Sequence, residues 1–138
     1  MFTVATANVN GIRAAARRDN LAWLAQCGAD VICLQEVRAS DEVLAKTLAD
    51  CGLGHWNVVH AEASAAGRSG VAILSASELG KPRVGVGQSE FADSGRWIEA
   101  TMRELAQHPA LPRFPDSWKE PNRAVSPTVV AELFDVSE

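Results

Sequence analysis

Two short apolar runs constrain the fold most: Val31-Ile32-Cys33-Leu34 and Val71-Ala72-Ile73-Leu74. Each has four residues without a polar interruption, too few for a buried helix and suited to a strand covered on both faces. The first is bounded by Asp30 and Gln35-Glu36, the second preceded by the turn Gly67-Arg68-Ser69-Gly70. Strands of this kind sit at the centre of a layered α/β fold, where helices or a second sheet cover what an open sheet would expose.

The flanking pattern agrees. Phe2 to Val9 reads as a strand ended by Asn10-Gly11. Asp19 or Asn20 can cap a helix that carries Leu21, Trp23, Leu24 and Cys27 and stops at Gly28. Ser40 precedes Asp41-Glu42, a capped and acid-rich helix start, with Val43, Leu44, Thr47, Leu48 and Cys51 on one face. The order is therefore β-α-β-α. Trp56 to His60 reads as a further strand. Residues 80–95 are glycine-rich and loop-like. Arg96 to Met102 alternates, with Trp97, Glu99 and Thr101 on one face and Ile98, Ala100 and Met102 on the other. Five prolines between Pro109 and Pro127 exclude a regular element there, and Thr128 to Val136 reads as one short closing helix or strand.

Bulk properties exclude several classes. At 138 residues, with 47% apolar and 22% charged side chains, the chain is sized for one domain that buries a core. No apolar stretch approaches the roughly 20 residues that span a bilayer. The N-terminus lacks the basic start and apolar run of a signal peptide, which leads us to expect a cytoplasmic protein without membrane contact. Three cysteines, Cys27, Cys33 and Cys51, have no metal-like spacing, and Cys33 reads as a buried reduced thiol. The net charge of −4 is not that of a globally basic nucleic-acid binder. A DNA contact would need a local basic face, for which Arg13, Arg17 and Arg18 are the densest cluster; the plain alternative is a solvated surface.

Each of the first two strands delivers one polar residue to its C-terminal end, Asn8 and Glu36. An amide and a carboxylate side by side suit a divalent metal and a phosphate. Each also has a structural reading: Asn8 before Asn10-Gly11 as a turn residue, Glu36 as a solvated charge at a strand end.

Four segments together match a known pattern. Ala7-Asn8-Val9-Asn10-Gly11-Ile12-Arg13, Asp30 to Arg38, Gly67 to Leu74 and Gly95 to Ala100 resemble, in order and spacing, the exodeoxyribonuclease III family. That family comprises Mg²⁺-dependent DNA-repair phosphodiesterases of the endonuclease/exonuclease/phosphatase superfamily. The resemblance covers residues 1–100 and leaves 101–138 as a proline-rich tail of unknown origin. It implies the N-terminal part of a four-layer α/β sandwich, two packed mixed sheets flanked by helices, here incomplete. It further implies that Glu36 and Asn8 are the catalytic, metal-holding residues for Mg²⁺, with Mn²⁺ as a substitute. Asn10, Arg13, Arg38, Arg68, Ser69 and Arg96 would contact DNA, a duplex with abasic sites or 3′ ends. The implied activity is that of an AP endonuclease and 3′–5′ exonuclease; a phosphatase or phospholipase of the same superfamily is the enzyme alternative.

The family's later motifs are absent. The chain has no Tyr, no Asp-x-Asn, and no His preceded by Asp, since His55, His60 and His108 follow Gly54, Val59 and Gln107. This leads us to expect a truncated, nearly inactive chain, or a non-catalytic fragment that needs a complementary chain. It also predicts one open sheet face, unless the tail or a second copy covers it, through which the chain would self-associate.

Overall fold

The computed structural model describes residues 2–85, 87 and 93–102, and the backbone of 128–132. Strand β1 (Val4–Asn8) leads through two short helices, α1 (Ile12–Arg17) and α2 (Ala22–Gln26), into β2 (Val31–Gln35). Helix α3 (Asp41–Asp50) and strands β3 (Asn57–Ala61) and β4 (Val71–Ser75) follow. The first sheet has the order β1-β2-β4-β3. β1 runs parallel to β2 with Val4 opposite Val31 and Asn8 opposite Gln35, and the other two pairings are antiparallel. The second sheet, β5 (Arg83–Val84), β6 (Trp97–Thr101) and β7 (Thr128–Glu132), is wholly antiparallel.

Alternation along β2 and β4 divides the core in two. Ile32, Leu34, Ala72 and Leu74 point to one side and pack against Ile12 and Ala15 of α1, Leu24 of α2, and Leu44 and Leu48 of α3. Val31, Cys33, Val71 and Ile73 point to the other side and meet Ile98, Ala100 and Met102. Among the described residues the order of layers is helices, mixed sheet, antiparallel sheet. This is why both apolar runs can be fully buried.

Two expectations are corrected. No helix is capped by Asp19 or Asn20. Ile12 and Ala15, three apart, bury one face of α1, and the chain then turns, with Arg18 and Asn20 amides both donating to the Ala15 carbonyl. Asp19 adopts a left-handed φ of 57° in that turn, and Leu21 precedes α2. The open sheet face is not found on β2 and β4, because β6 supplies its apolar side to them. Among the described residues, the large apolar side chains that remain exposed, Val4, Trp23, Val58 and Val84, are single residues on separate elements. Of the two readings for Thr128 to Val136, the strand is found: residues 128–132 pair with β6 in the second sheet.

The cap on α3 is as read. Ser40 Oγ accepts from the Val43 amide at 3.4 Å, and Asp41 and Glu42 occupy the first turn. The faces of β6 also agree, with Ile98 and Ala100 buried and Trp97, Glu99 and Thr101 half-exposed. The predicted break at 109–127 lies outside the described residues.

Candidate metal and phosphate site

The four sequence segments that carry the resemblance meet at one end of the first sheet, joined by main-chain hydrogen bonds. The Val9 amide donates to the Gln35 carbonyl at 2.9 Å, Gly11 to Glu36 at 2.8 Å and Ile12 to Val37 at 3.0 Å. Val37 donates to Gly70 at 3.0 Å and Arg38 to Ser69 at 2.8 Å, while Gly70 donates to Gly95 at 2.8 Å. The C-terminal ends of β1 and β2 are thus stitched to each other and to the turns before β4 and β6.

Strain collects at the same place. Among the described residues five non-glycine residues have positive φ, and four of them are here: Asn10 (46°), Glu36 (52°), Arg38 (52°) and Ser69 (45°). Such residues cost on the order of 1–3 kcal/mol each and persist where surrounding bonds over-determine them, often at functional sites. The stitched amides provide that determination.

Asn8 lies at the exposed end of β1, next to Gln35 of β2 and one residue short of Glu36. Its Oδ1 accepts from the Asn10 amide at 3.0 Å, an Asx turn that accounts for Asn10 as well. The turn reading of Asn8 is therefore correct as far as the chain itself goes, and its amide nitrogen stays available. Glu36 Oε2 accepts from Arg38 Nη2 at 2.8 Å, with the two side chains 25% and 41% exposed. A pair this open to water is worth at most about 1 kcal/mol and yields readily to a stronger ligand.

Arg13, Arg38 and Arg68 line one open cleft of about 230 Å³, together with Ser40 and Glu62. Three guanidinium groups against one carboxylate make the cleft anion-attracting. Arg96 Nε reaches Ser69 Oγ at 3.5 Å, placing both beside the same turn. Every predicted DNA-contacting residue is thus in the cleft or the stitched turns, while Arg17 and Arg18 lie at the far end of α1 and line neither.

Sequence reasoning missed two groups. Gln35 Nε2 donates to Thr6 Oγ1 at 2.9 Å, bracing β1 on β2 beside the site. His60 is buried on β3, its side chain 4% exposed, with Nδ1 at 2.6 Å from Asp41 Oδ1. Its Nε2 has no hydrogen-bond partner among the described residues. Nothing in the sequence links His60 to Asp41, nineteen positions away. Burial pushes the Cys33 thiol up to about 11, as its place in the inter-sheet core requires.

Among the described residues no three His, Cys, Asp or Glu side chains converge. What is present is one carboxylate and one amide oxygen, hard ligands that suit Mg²⁺ or Mn²⁺ and leave the remaining positions to water and substrate oxygens.

The fold is similar to an AP endonuclease from Archaeoglobus fulgidus, with a TM-score of 0.60, 28% identity, and coverage of 75% of this chain and 38% of that one. The 3′-5′ exonuclease NExo from Neisseria meningitidis, at 24% identity and a TM-score of 0.59, shares the fold over 75% of this chain and 39% of its own. The chain belongs to the Endonuclease/Exonuclease/phosphatase family, whose sequence pattern matches residues 5–132, and within it to the exodeoxyribonuclease III and AP endonuclease members. An exodeoxyribonuclease of Bacillus subtilis (strain 168) is 37% identical over 92 residues, which are 66% of this chain and 34% of the relative. The DNA repair nuclease APEX1 of Danio rerio is 28% identical over 98 residues, 71% of this chain and 32% of its own. The chain spans about a third of the length of these relatives. The family match reaches residue 132, past the point near residue 100 where the motifs end.

Proposed function

We propose that this chain carries the metal- and phosphate-holding part of an exodeoxyribonuclease III-type DNA-repair phosphodiesterase, with AP endonuclease and 3′–5′ exonuclease chemistry. It would be the opening part of a four-layer sandwich, working in the cytoplasm on duplex DNA with abasic sites or 3′ ends. The observation that carries this reading is the stitching of four segments that sets Asn8 and Glu36 on adjacent strand ends.

The roles follow from the side chains. Glu36, with Asn8 beside it, would hold the divalent cation, Mg²⁺ or Mn²⁺. When bound, the cation supplies polarisation of a phosphoryl oxygen and charge neutralisation. Asn8 Nδ2, without a hydrogen-bond partner among the described residues, would donate to a phosphate oxygen. Arg13, Arg38 and Arg68 would hold backbone phosphates in the cleft, and Ser69, Arg96 and Asn10 would orient the strand next to Glu36. Nothing among the named residues takes a proton from the attacking water, so hydrolysis would rest on groups beyond these.

The second reading is a non-catalytic fragment that works with a complementary chain. It is favoured by the absence of Tyr, Asp-x-Asn and Asp-His from all 138 residues. The test is binding and cleavage of a labelled duplex with one abasic site, in Mn²⁺, Mg²⁺ and EDTA, alongside Glu36→Gln. The proposed function expects metal-enhanced binding that weakens about tenfold in Glu36→Gln. Equal binding by both proteins, with and without metal, would refute it. Cleavage above the Glu36→Gln background would dismiss the fragment reading.

A further inference from the structure

We propose that His60 is a positioning residue for this site: tied to Asp41, its ring fixes the two turns that carry Glu36, Arg38 and Ser69. The functional consequence rests on the proposed function, whereas the structural claim does not.

The ring is held on one edge and closed off on the other. Nδ1 lies 2.6 Å from the Asp41 carboxylate at the start of α3, which sets the orientation of the imidazole. Nε2 lies 3.5 Å from where a Cβ on Gly70 would sit, and that same point is 3.3 Å from the Arg38 nitrogen and from Val37 Cβ. Gly70, with φ of +91°, therefore passes flush between the ring and the Val37-Arg38 turn. Here Val37 and Arg38 donate to the carbonyls of Gly70 and Ser69. The ring backs the junction at which both turns are joined.

Stability alone does not account for an imidazole in this place. Its Nε2 is buried without a partner among the described residues, and a hydrocarbon side chain would fill the space with no stranded nitrogen. What a hydrocarbon would lack is the directional bond to Asp41. That bond turns a space-filling group into a fixed spacer between the helix start and the two strained turns. Glu36 and Ser69, at φ of 52° and 45°, have backbone conformations that relax readily once such support is lost.

The test uses the full chain, labelled with ¹⁵N, and reads amide hydrogen exchange at Val37 and Arg38 against the internal strand amides of β4. His60→Phe keeps a ring without the tie, Asp41→Ala removes the tie from the other side, and His60→Asn keeps a donor near the Nδ1 position. Glu42→Ala controls for loss of an acidic residue from the first turn of α3. The expected result is at least tenfold faster exchange at Val37 and Arg38 in His60→Phe and Asp41→Ala, with unchanged β4 amides. His60→Asn should restore most of the protection, and Glu42→Ala should behave as wild type. Exchange within twofold of wild type in His60→Phe would overturn the proposal, because the ring would then act only as filler. A parallel Mn²⁺ titration should show weaker binding in His60→Phe and Asp41→Ala. Should wild type and Glu36→Gln bind Mn²⁺ equally, the metal reading fails while the exchange data still decide the role of His60.

Discussion

Ile98→Ala tests whether the second sheet covers the first. Ile98 is fully buried on β6 and shares its cluster with Val31, Cys33, Val71 and Ile73 of the first sheet. Truncation removes three carbons from a site walled by two sheets, which cannot collapse without moving a strand. The expected loss is roughly 2–5 kcal/mol. That is a large share of the roughly 5–15 kcal/mol by which domains are stable. Val84→Ala on neighbouring β5 is the control, since Val84 is 46% exposed and its truncation should change stability by less than about 0.5 kcal/mol. Urea unfolding followed by fluorescence of the four tryptophans measures both. A loss below about 1 kcal/mol for Ile98→Ala would refute the packing and restore the open face that the sequence predicts.

Gly95→Ala should destabilise strongly. The new Cβ would fall 2.6 Å from the Ala63 nitrogen in a residue at φ of +63°, a combined cost of at least about 2 kcal/mol in urea unfolding. Gly67→Ala, at φ of +73° with nothing within 4 Å, should lose only the conformational part, about 1 kcal/mol; equal losses would refute the close approach. Iodoacetamide at pH 8 should modify exposed Cys27 but spare Cys33 until the chain unfolds, read by mass spectrometry. Because burial raises the Cys33 thiol from 9.0 to about 11, the neutral form is favoured in the fold. Its contribution is intact below about pH 9 and lost as pH rises towards 11, so wild type should lose about 2 kcal/mol more than Cys33→Val between pH 7.5 and 10.5. Arg38→Met removes the cation paired with Glu36 and should tighten Mn²⁺ binding several-fold by titration while weakening DNA binding; an unchanged Mn²⁺ affinity would mean that Glu36 is not the ligand.

The elements legible in the sequence were those whose signal is local. The runs at Val31 and Val71 could be read as central strands because four apolar residues in a row leave no polar face. Ser40 could be read as a cap because its oxygen bonds an amide three residues on. Helix α1 was not legible: Gly11 precedes it without a side-chain cap, and no acidic residue marks its first turn. The cover over β2 and β4 was also hidden. It comes from Ile98, Ala100 and Met102, some 25 residues further along, and the alternation of β6 states that one face is apolar without stating what it meets. The placement of Asn8 and Glu36 at neighbouring strand ends was legible from the strand pattern, whereas the roles proposed for them came from the family resemblance. The Arg13, Arg38 and Arg68 cleft required the fold, because those side chains come from a helix and two separate turns.

One oxygen of each side chain that would hold the cation is already engaged within the chain. Asn8 Oδ1 accepts from the Asn10 amide, and Glu36 Oε2 from Arg38. The first bond is between neutral groups, worth about 1 kcal/mol net, and the second is a half-exposed pair worth no more. Displacing them is a small cost beside the attraction of a divalent ion for a carboxylate. A single carboxylate on a hydrated Mg²⁺ still leaves most of the ion's positions to water, so affinity depends on how many further oxygens the substrate brings. The arginine cleft bears on that number. If Arg13, Arg38 and Arg68 hold the phosphodiester backbone beside Glu36 as proposed, they would raise the local concentration of phosphate oxygens at a bound ion. Metal and DNA should therefore bind cooperatively to this chain, each tightening the other by the same factor. Titrating Mn²⁺ with and without a short duplex measures that factor from one side, and titrating duplex with and without Mn²⁺ measures it from the other. Two independent affinities would show that the cleft and Glu36 do not form one site.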